Sequence, residues 1–141
     1  MRDSLRPGLA RSETIRVGPD RAIAFLGEAL RVYATPDFGR DVEIACRELL
    51  LEHLDPGEDS VGVRMELDHA AATPMGMDVT IEVTLAAREG RRAVFDFVAR
   101  DAIEEIGRGR HIRFILDIAT ATQRLAAKVA KAGAMAAPAG A

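Results

Sequence analysis

Along the chain the spacing of apolar residues changes from helical to alternating, and the change divides the sequence into elements. Residues 1 to 11, with Arg2, Arg6, Pro7, Gly8 and Arg11, show little periodicity and read as an arm that packs late or frays. Glu13 to Val17 predicts a short first strand. Gly18, Pro19 and Asp20 then punctuate the chain, and Arg21 to Val32 carries Ile23, Leu26 and Leu30 at helical spacing, a short or broken helix with Gly27 as its weak point. Thr35, Pro36 and Asp37 supply a capping hydroxyl, a proline for the first helical position and an acid for the first turn. From there Phe38, Val42, Ala45, Cys46, Leu49, Leu50 and His53 share one helical face, which predicts a buried amphipathic helix ending before Asp55, Pro56, Gly57 and Glu58.

Beyond that turn the period becomes two. Val61, Val63, Met65, Leu67 and His69 alternate with polar positions, as do Met77, Val79, Ile81, Val83 and Leu85, which predicts two half-buried strands. Glu89 and Gly90 turn a hairpin into Ala93 to Arg100, and Ile106 to Asp117 makes a last strand with Ile112, Phe114 and Leu116 as its apolar set. Thr120 to Lys131 reads as an alanine-rich surface helix, and residues 134–141 as a disordered tail behind a single domain of residues 1–133. No internal repeat is present. A strand, a long central helix and four consecutive strands suit an α+β layering, one helix across a curved antiparallel sheet; the hotdog is one fold with that order, among several.

Composition narrows the functional classes. The 141 residues are 48% hydrophobic, enough to bury a core, and the formal charge of −3 provides no general attraction to nucleic acid or to an anionic membrane. Cys46 is the only cysteine, so neither an intrachain disulfide nor a multi-thiolate zinc site is available, and a reducing, cytoplasmic setting is expected. No apolar run has the length of a signal peptide or a membrane span. The three histidines match no zinc spacing, so no metal or other cofactor is expected. Gly107, Arg108, Gly109 and Arg110 lack the strand-to-helix context of a phosphate loop. Arg88, Arg91, Arg92 and Arg110 suit either contacts to a phosphorylated ligand or solvated hairpin charge.

Three residues stand where chemistry is possible, each with a plainer structural role beside it. Thr35 opens the central helix, where it serves equally as an N-cap or as a hydroxyl held beside the positive end of the helix dipole. Glu43 lies two turns on, at the flank of the apolar face, either as a partly buried base or nucleophile or as a surface partner of Arg40 or Arg47. His69 is in phase with the apolar set of its strand and points toward the helix side, as a hydrogen-bonded core histidine or as a base reaching the hydroxyl. His53 and His111 show no comparable partners and read as structural or surface residues.

The segments ATPDFGRDVEIAC (Ala34 to Cys46), LDPGEDSVG (Leu54 to Gly62), DHAAATPMG (Asp68 to Gly76) and EGRR followed by DAIEEIGRGRHIR (Glu89 to Arg113) together resemble the fluoroacetyl-CoA thioesterase family of hotdog-fold acyl-CoA hydrolases. The resemblance covers most of the chain. It implies a hotdog fold, an acyl-CoA substrate, a homodimer with the site at the subunit interface, and catalytic roles for Thr35, Glu43 and His69, with Gly62 and Arg113 close to the substrate. Between Ile23 and Thr35 the chain is several residues shorter than the fluoroacetyl-CoA-specific members and lacks their phenylalanine-rich lid, with only Phe25 and Tyr33 as aromatic residues there. A different or larger acyl group is therefore expected. Two other classes stay open beside hydrolysis: a non-catalytic acyl-CoA-binding or sensing module, and hydration or dehydration of an acyl thioester on the same fold.

Overall fold

The computed structural model describes residues 1–136. Strand β1 (Ala10–Arg16) is followed by a two-residue ribbon, β2 (Ala22–Ile23) and β3 (Val32–Tyr33), then the long helix α1 (Thr35–Leu51). Four strands come next, β4 (Glu58–His69), β5 (Asp78–Glu89), β6 (Arg92–Arg100) and β7 (Glu105–Asp117), and helix α2 (Ile118–Ala136) closes the described chain. The main sheet is antiparallel in the order β1-β5-β6-β7-β4, so β4 forms one outer edge.

The core lies between α1 and the inner face of this sheet. Phe38, Val42, Ala45, Cys46, Leu49 and Leu50, the apolar stripe expected of the helix, pack against Val79, Ile81, Val83 and Leu85 of β5 and Ala93, Phe95, Phe97 and Ala99 of β6. Gly107 and Gly109 admit the helix-side aromatics: a Cβ at Gly107 would collide with the Asp68 carbonyl and the Phe38 ring, and one at Gly109 with the Glu66 carbonyl and the Phe97 ring.

Four expectations are corrected. The arm does not fray: Leu5 enters the core and the Arg2 N–H donates to the His53 carbonyl. Arg21 to Val32 forms no helix; two short 3-10 turns and the β2/β3 ribbon replace it, because Gly27 at φ +93° breaks the helical path and Ile23, Leu26 and Leu30 have no surface to pack on. In β4 a bulge between Gly62 and Arg64 switches the phase, so Ser60 faces inward before it and Met65, Leu67 and His69 after it, while Val61 and Val63 are 45% and 57% exposed. In β7 the residues facing α1 are His111, Arg113 and Ile115, not the set Ile112, Phe114 and Leu116. Pairing of His111 with inward Phe95 and of Arg113 with inward Ala93 imposes that parity. Helix α2 covers the expected Thr120 to Lys131 and continues to Ala136; the rest of the expected tail lies outside the described residues.

Candidate active site

Helix α1 starts differently from a side-chain-capped helix. Ala34 occupies the cap position without a side-chain hydrogen bond, and Thr35 is already the first helical residue. Its hydroxyl is therefore released from capping and shares a 2.8 Å hydrogen bond with His69 Nδ1 at the end of β4. Phe38 and Tyr33 meet the His69 ring edge-on, at centroid distances of 5.1 and 6.1 Å. Burial among them disfavours the imidazolium and holds the pKa of His69 below its ordinary value, which keeps the ring neutral and able to accept a proton near pH 7. His69 Nε2 is buried and has no hydrogen-bond partner among the described residues.

A buried network fixes this end of the helix. The Tyr33 hydroxyl donates to Asp41 Oδ2 at 2.5 Å, and Arg21 donates to both Asp41 oxygens at 3.0 to 3.3 Å. Burial first, and then the neighbouring Asp41 carboxylate, drive the Tyr33 phenol far above its ordinary pKa, so it remains a donor at all physiological pH. The clamp ties the chain before the helix to the second turn of the helix.

Glu43 stands eight residues beyond Thr35, about 12 Å along the helix at the usual rise. It is 48% exposed and does not pair with its helical neighbours; Arg47 instead forms a bidentate pair with Asp59 at 2.7 and 3.0 Å. The carboxylate lies over β4 at Gly62, where a Cβ would come within 2.5 Å of Glu43 Oε1 and 3.1 Å of His111 Cε1. Glycine is the residue that allows this approach. Arg113, opposite Gly62 in the ladder, is 5% exposed and turned into the inner layer, where it donates to Ser60 Oγ, to the Ser60 carbonyl and to His111. Within the chain the candidate residues thus form two groups, Thr35 with His69 and Glu43 with Gly62, His111 and Arg113.

His111 and Ser60 are the members that sequence reasoning missed. His111 is fully buried and 4.0 Å from Glu43, not a surface residue. The signal was the spacing of His111, Arg113 and Ile115, which puts all three on one face of a strand. His53, by contrast, hydrogen-bonds Ser4 Oγ at 2.7 Å, away from both groups. Burial pushes the Cys46 thiol up to about 12, so it is a core group and not a nucleophile at neutral pH. Among the described residues no three His, Cys, Asp or Glu side chains converge as metal ligands.

Comparison with known proteins agrees with the sequence resemblance. Residues 17–119 match the family described as fluoroacetyl-CoA-specific thioesterase. The fluoroacetyl-CoA thioesterase of Streptantibioticus cattleyicolor is 33% identical over 125 residues, covering 84% of this chain and 90% of that protein. A crystal structure of a mutant of the fluoroacetyl-CoA-specific thioesterase FlK superposes with a TM-score of 0.81 at 30% identity, over 90% of this chain and 99% of that one. A hot-dog-like protein from Thermanaerovibrio acidaminovorans gives 0.80 at 26% identity, over 86% and 91% of the two chains. With the layering described above, these likenesses make the fold a hotdog and place the chain in the fluoroacetyl-CoA-specific thioesterase family.

Proposed function

We infer that this protein is an acyl-CoA thioesterase, hydrolysing a small or medium acyl-CoA to the free acid and CoA. The observation that carries the assignment of roles is the Thr35 to His69 hydrogen bond, a hydroxyl joined to a neutral, half-buried imidazole at the start of α1. The thioester carbonyl sits against the start of α1, where the positive end of the helix dipole favours the developing oxyanion. The Glu43 carboxylate takes a proton from the attacking water, the C–S bond breaks as the tetrahedral intermediate collapses, and that same proton passes by way of His69, held by Thr35, to the departing thiolate, which restores the Glu43 carboxylate and the neutral imidazole. Thr35 orients the ring.

Glu43 is two turns of α1 away from Thr35, which holds His69, so the reading includes a homodimer. The outer edge of β4 is unpaired in the sheet order and carries both Gly62 and His69. Antiparallel pairing of two copies about an axis near Met65 and Glu66 would set Gly62 of one subunit opposite His69 of the other. Glu43 would then approach the partner's hydroxyl and imidazole. The β2/β3 ribbon leaves Phe25 and Leu26 exposed in place of a lid helix, which supports a larger acyl group than fluoroacetyl. No helix among the described residues is long and apolar enough to cross a membrane, and the lone, buried Cys46 suits a reducing compartment; we place the reaction in the cytoplasm.

Thiol release from a panel of acetyl-, fluoroacetyl-, longer and aromatic acyl-CoAs tests this reading. Turnover of at least one member, lost in both His69→Ala and Glu43→Ala, is expected. Full activity in both variants would overturn the assignment of roles.

A further inference from the structure

His111 is the one buried histidine with both ring nitrogens engaged, and the identities of its partners determine its protonation. Nδ1 lies 2.8 Å from the Arg64 carbonyl oxygen, which can only accept, so Nδ1 carries the proton. Nε2 lies 3.1 Å from Arg113 Nη1, which can only donate, so Nε2 presents a lone pair. The ring is neutral, in one tautomer, and cannot bind a second proton without losing Arg113. Burial, the largest influence, acts in that direction, as does the adjacent guanidinium, against the opposing effects of the Arg64 carbonyl and, smaller, of the Glu43 carboxylate.

Arg113 is unusual in turn. Its hydrogen bonds go to Ser60 Oγ at 2.8 Å, to the Ser60 carbonyl at 2.9 Å and to His111, all neutral groups, and no carboxylate lies within ion-pair distance of it among the described residues. A buried guanidinium without a contacting anion is costly to keep. Titratable groups facing the cluster are Glu43, Cys46 and Arg47 from α1, Asp59 from β4, and His111 and Arg113 from β7. Cys46 is a neutral thiol and Asp59 is occupied by Arg47, so Glu43 is the remaining free anion. Yet Glu43 Oε1 comes no closer than 4.0 Å to His111 Nε2, the lone pair that holds Arg113.

We propose that His111 is a positioning residue for this reaction: its Nε2 lone pair holds the Arg113 guanidinium against the sheet, so that the cation supports the charge of Glu43 from beneath without capturing the carboxylate in a direct ion pair. The carboxylate stays free to take a proton from water. Loss of the acceptor releases Nη1 toward Glu43, the anion facing the cluster that has no ion pair of its own, and ties up the base. This inference rests on the thioesterase reading and on Glu43 as its base.

The experiment combines kinetics of two variants with a measurement on the unaltered protein. In His111→Phe, a variant of similar shape without an acceptor, kcat is expected to fall by about 10- to 100-fold with KM changed less than about threefold, the mark of a lost effect on the chemical step. In His111→Gln, whose side-chain oxygen can take the Nε2 position, kcat is expected to return to within about threefold of the unaltered protein. Nitrogen-15 NMR of the histidine rings in the unaltered protein is expected to show His111 neutral with its proton on Nδ1 at pH 7. The proposal is overturned by unchanged kcat in a folded His111→Phe protein, by a Gln variant no better than Phe, or by an imidazolium or Nε2–H ring in the NMR spectrum. If His111→Phe does not fold, the Gln variant and the ring spectrum decide. Full turnover by Glu43→Gln would instead sink the underlying assignment of the base, and the ring spectrum would be unaffected by that result.

Discussion

The two groups along α1 use opposite means to prepare a side chain for chemistry. At the helix start the means is dryness: His69 sits among Tyr33 and Phe38, its charged form is disfavoured by burial, and Thr35 is its one side-chain partner. Two turns on, the means is charge. Glu43 is half exposed, lies over a glycine, and has a buried guanidinium and a tautomerically locked histidine below it. The imidazole is kept neutral by removing water, whereas the carboxylate is left half exposed and outside any direct ion pair. The proposed reaction uses both, and one helix of this length can hold them apart without either environment spoiling the other.

The comparison is broken most severely at the dry end. His69→Ala removes the relay and is expected to lower kcat by about 10³-fold, within the range for a positioned acid or base, while circular dichroism stays that of the folded protein. A loss of less than about tenfold would demote the dry group to a packing role.

At the charged end a smaller change suffices. Gly62→Ala puts a methyl group 2.5 Å from Glu43 Oε1, so the carboxylate must move. A displacement of about 1 Å predicts a loss of about 10- to 100-fold in kcat/KM with little change in melting temperature. Turnover equal to the unaltered protein would show that the position of Glu43 over β4 is not needed.

The clamp at the helix start gives a third test. Tyr33→Phe leaves Asp41 without its hydroxyl donor but keeps Arg21, so a stability loss of about 1 kcal/mol in urea unfolding is expected, with activity reduced through the loosened Thr35 end. An unchanged unfolding midpoint would mean that the Arg21 pair alone holds this end.

The smallest effect is a pH dependence whose sign follows from half-buried His69 and buried His111. His69 and His111 have folded-state pKa values below the ordinary 6.5, so between the folded and unfolded values the unfolded chain binds more protons. Their contribution to stability is therefore complete above about pH 6.5 and is lost as pH falls toward the folded values. Unfolding midpoints measured from pH 7.5 down to 5 should decline, and a His69→Ala, His111→Gln double variant should decline less. A flat profile in the parent protein would contradict the burial of both rings.

The sequence by itself determined the apolar stripe of α1 and the order of α1 and the four strands after it, because these depend on local periodicity, and it singled out Thr35, Glu43 and His69 through the family resemblance. It also carried the family. Tertiary structure decided what periodicity could not. The bulge after Gly62 turned Val61 and Val63 outward although they alternate with Met65, and β-ladder register, set by neighbours on β6, chose His111 and Arg113 over Phe114 for the inner face of β7. Thr35 looked like a cap until a histidine from a strand 34 residues away claimed its hydroxyl. A strand has two faces that differ only in parity, and pairing with distant strands, not the strand's own residues, decides which face meets the helix.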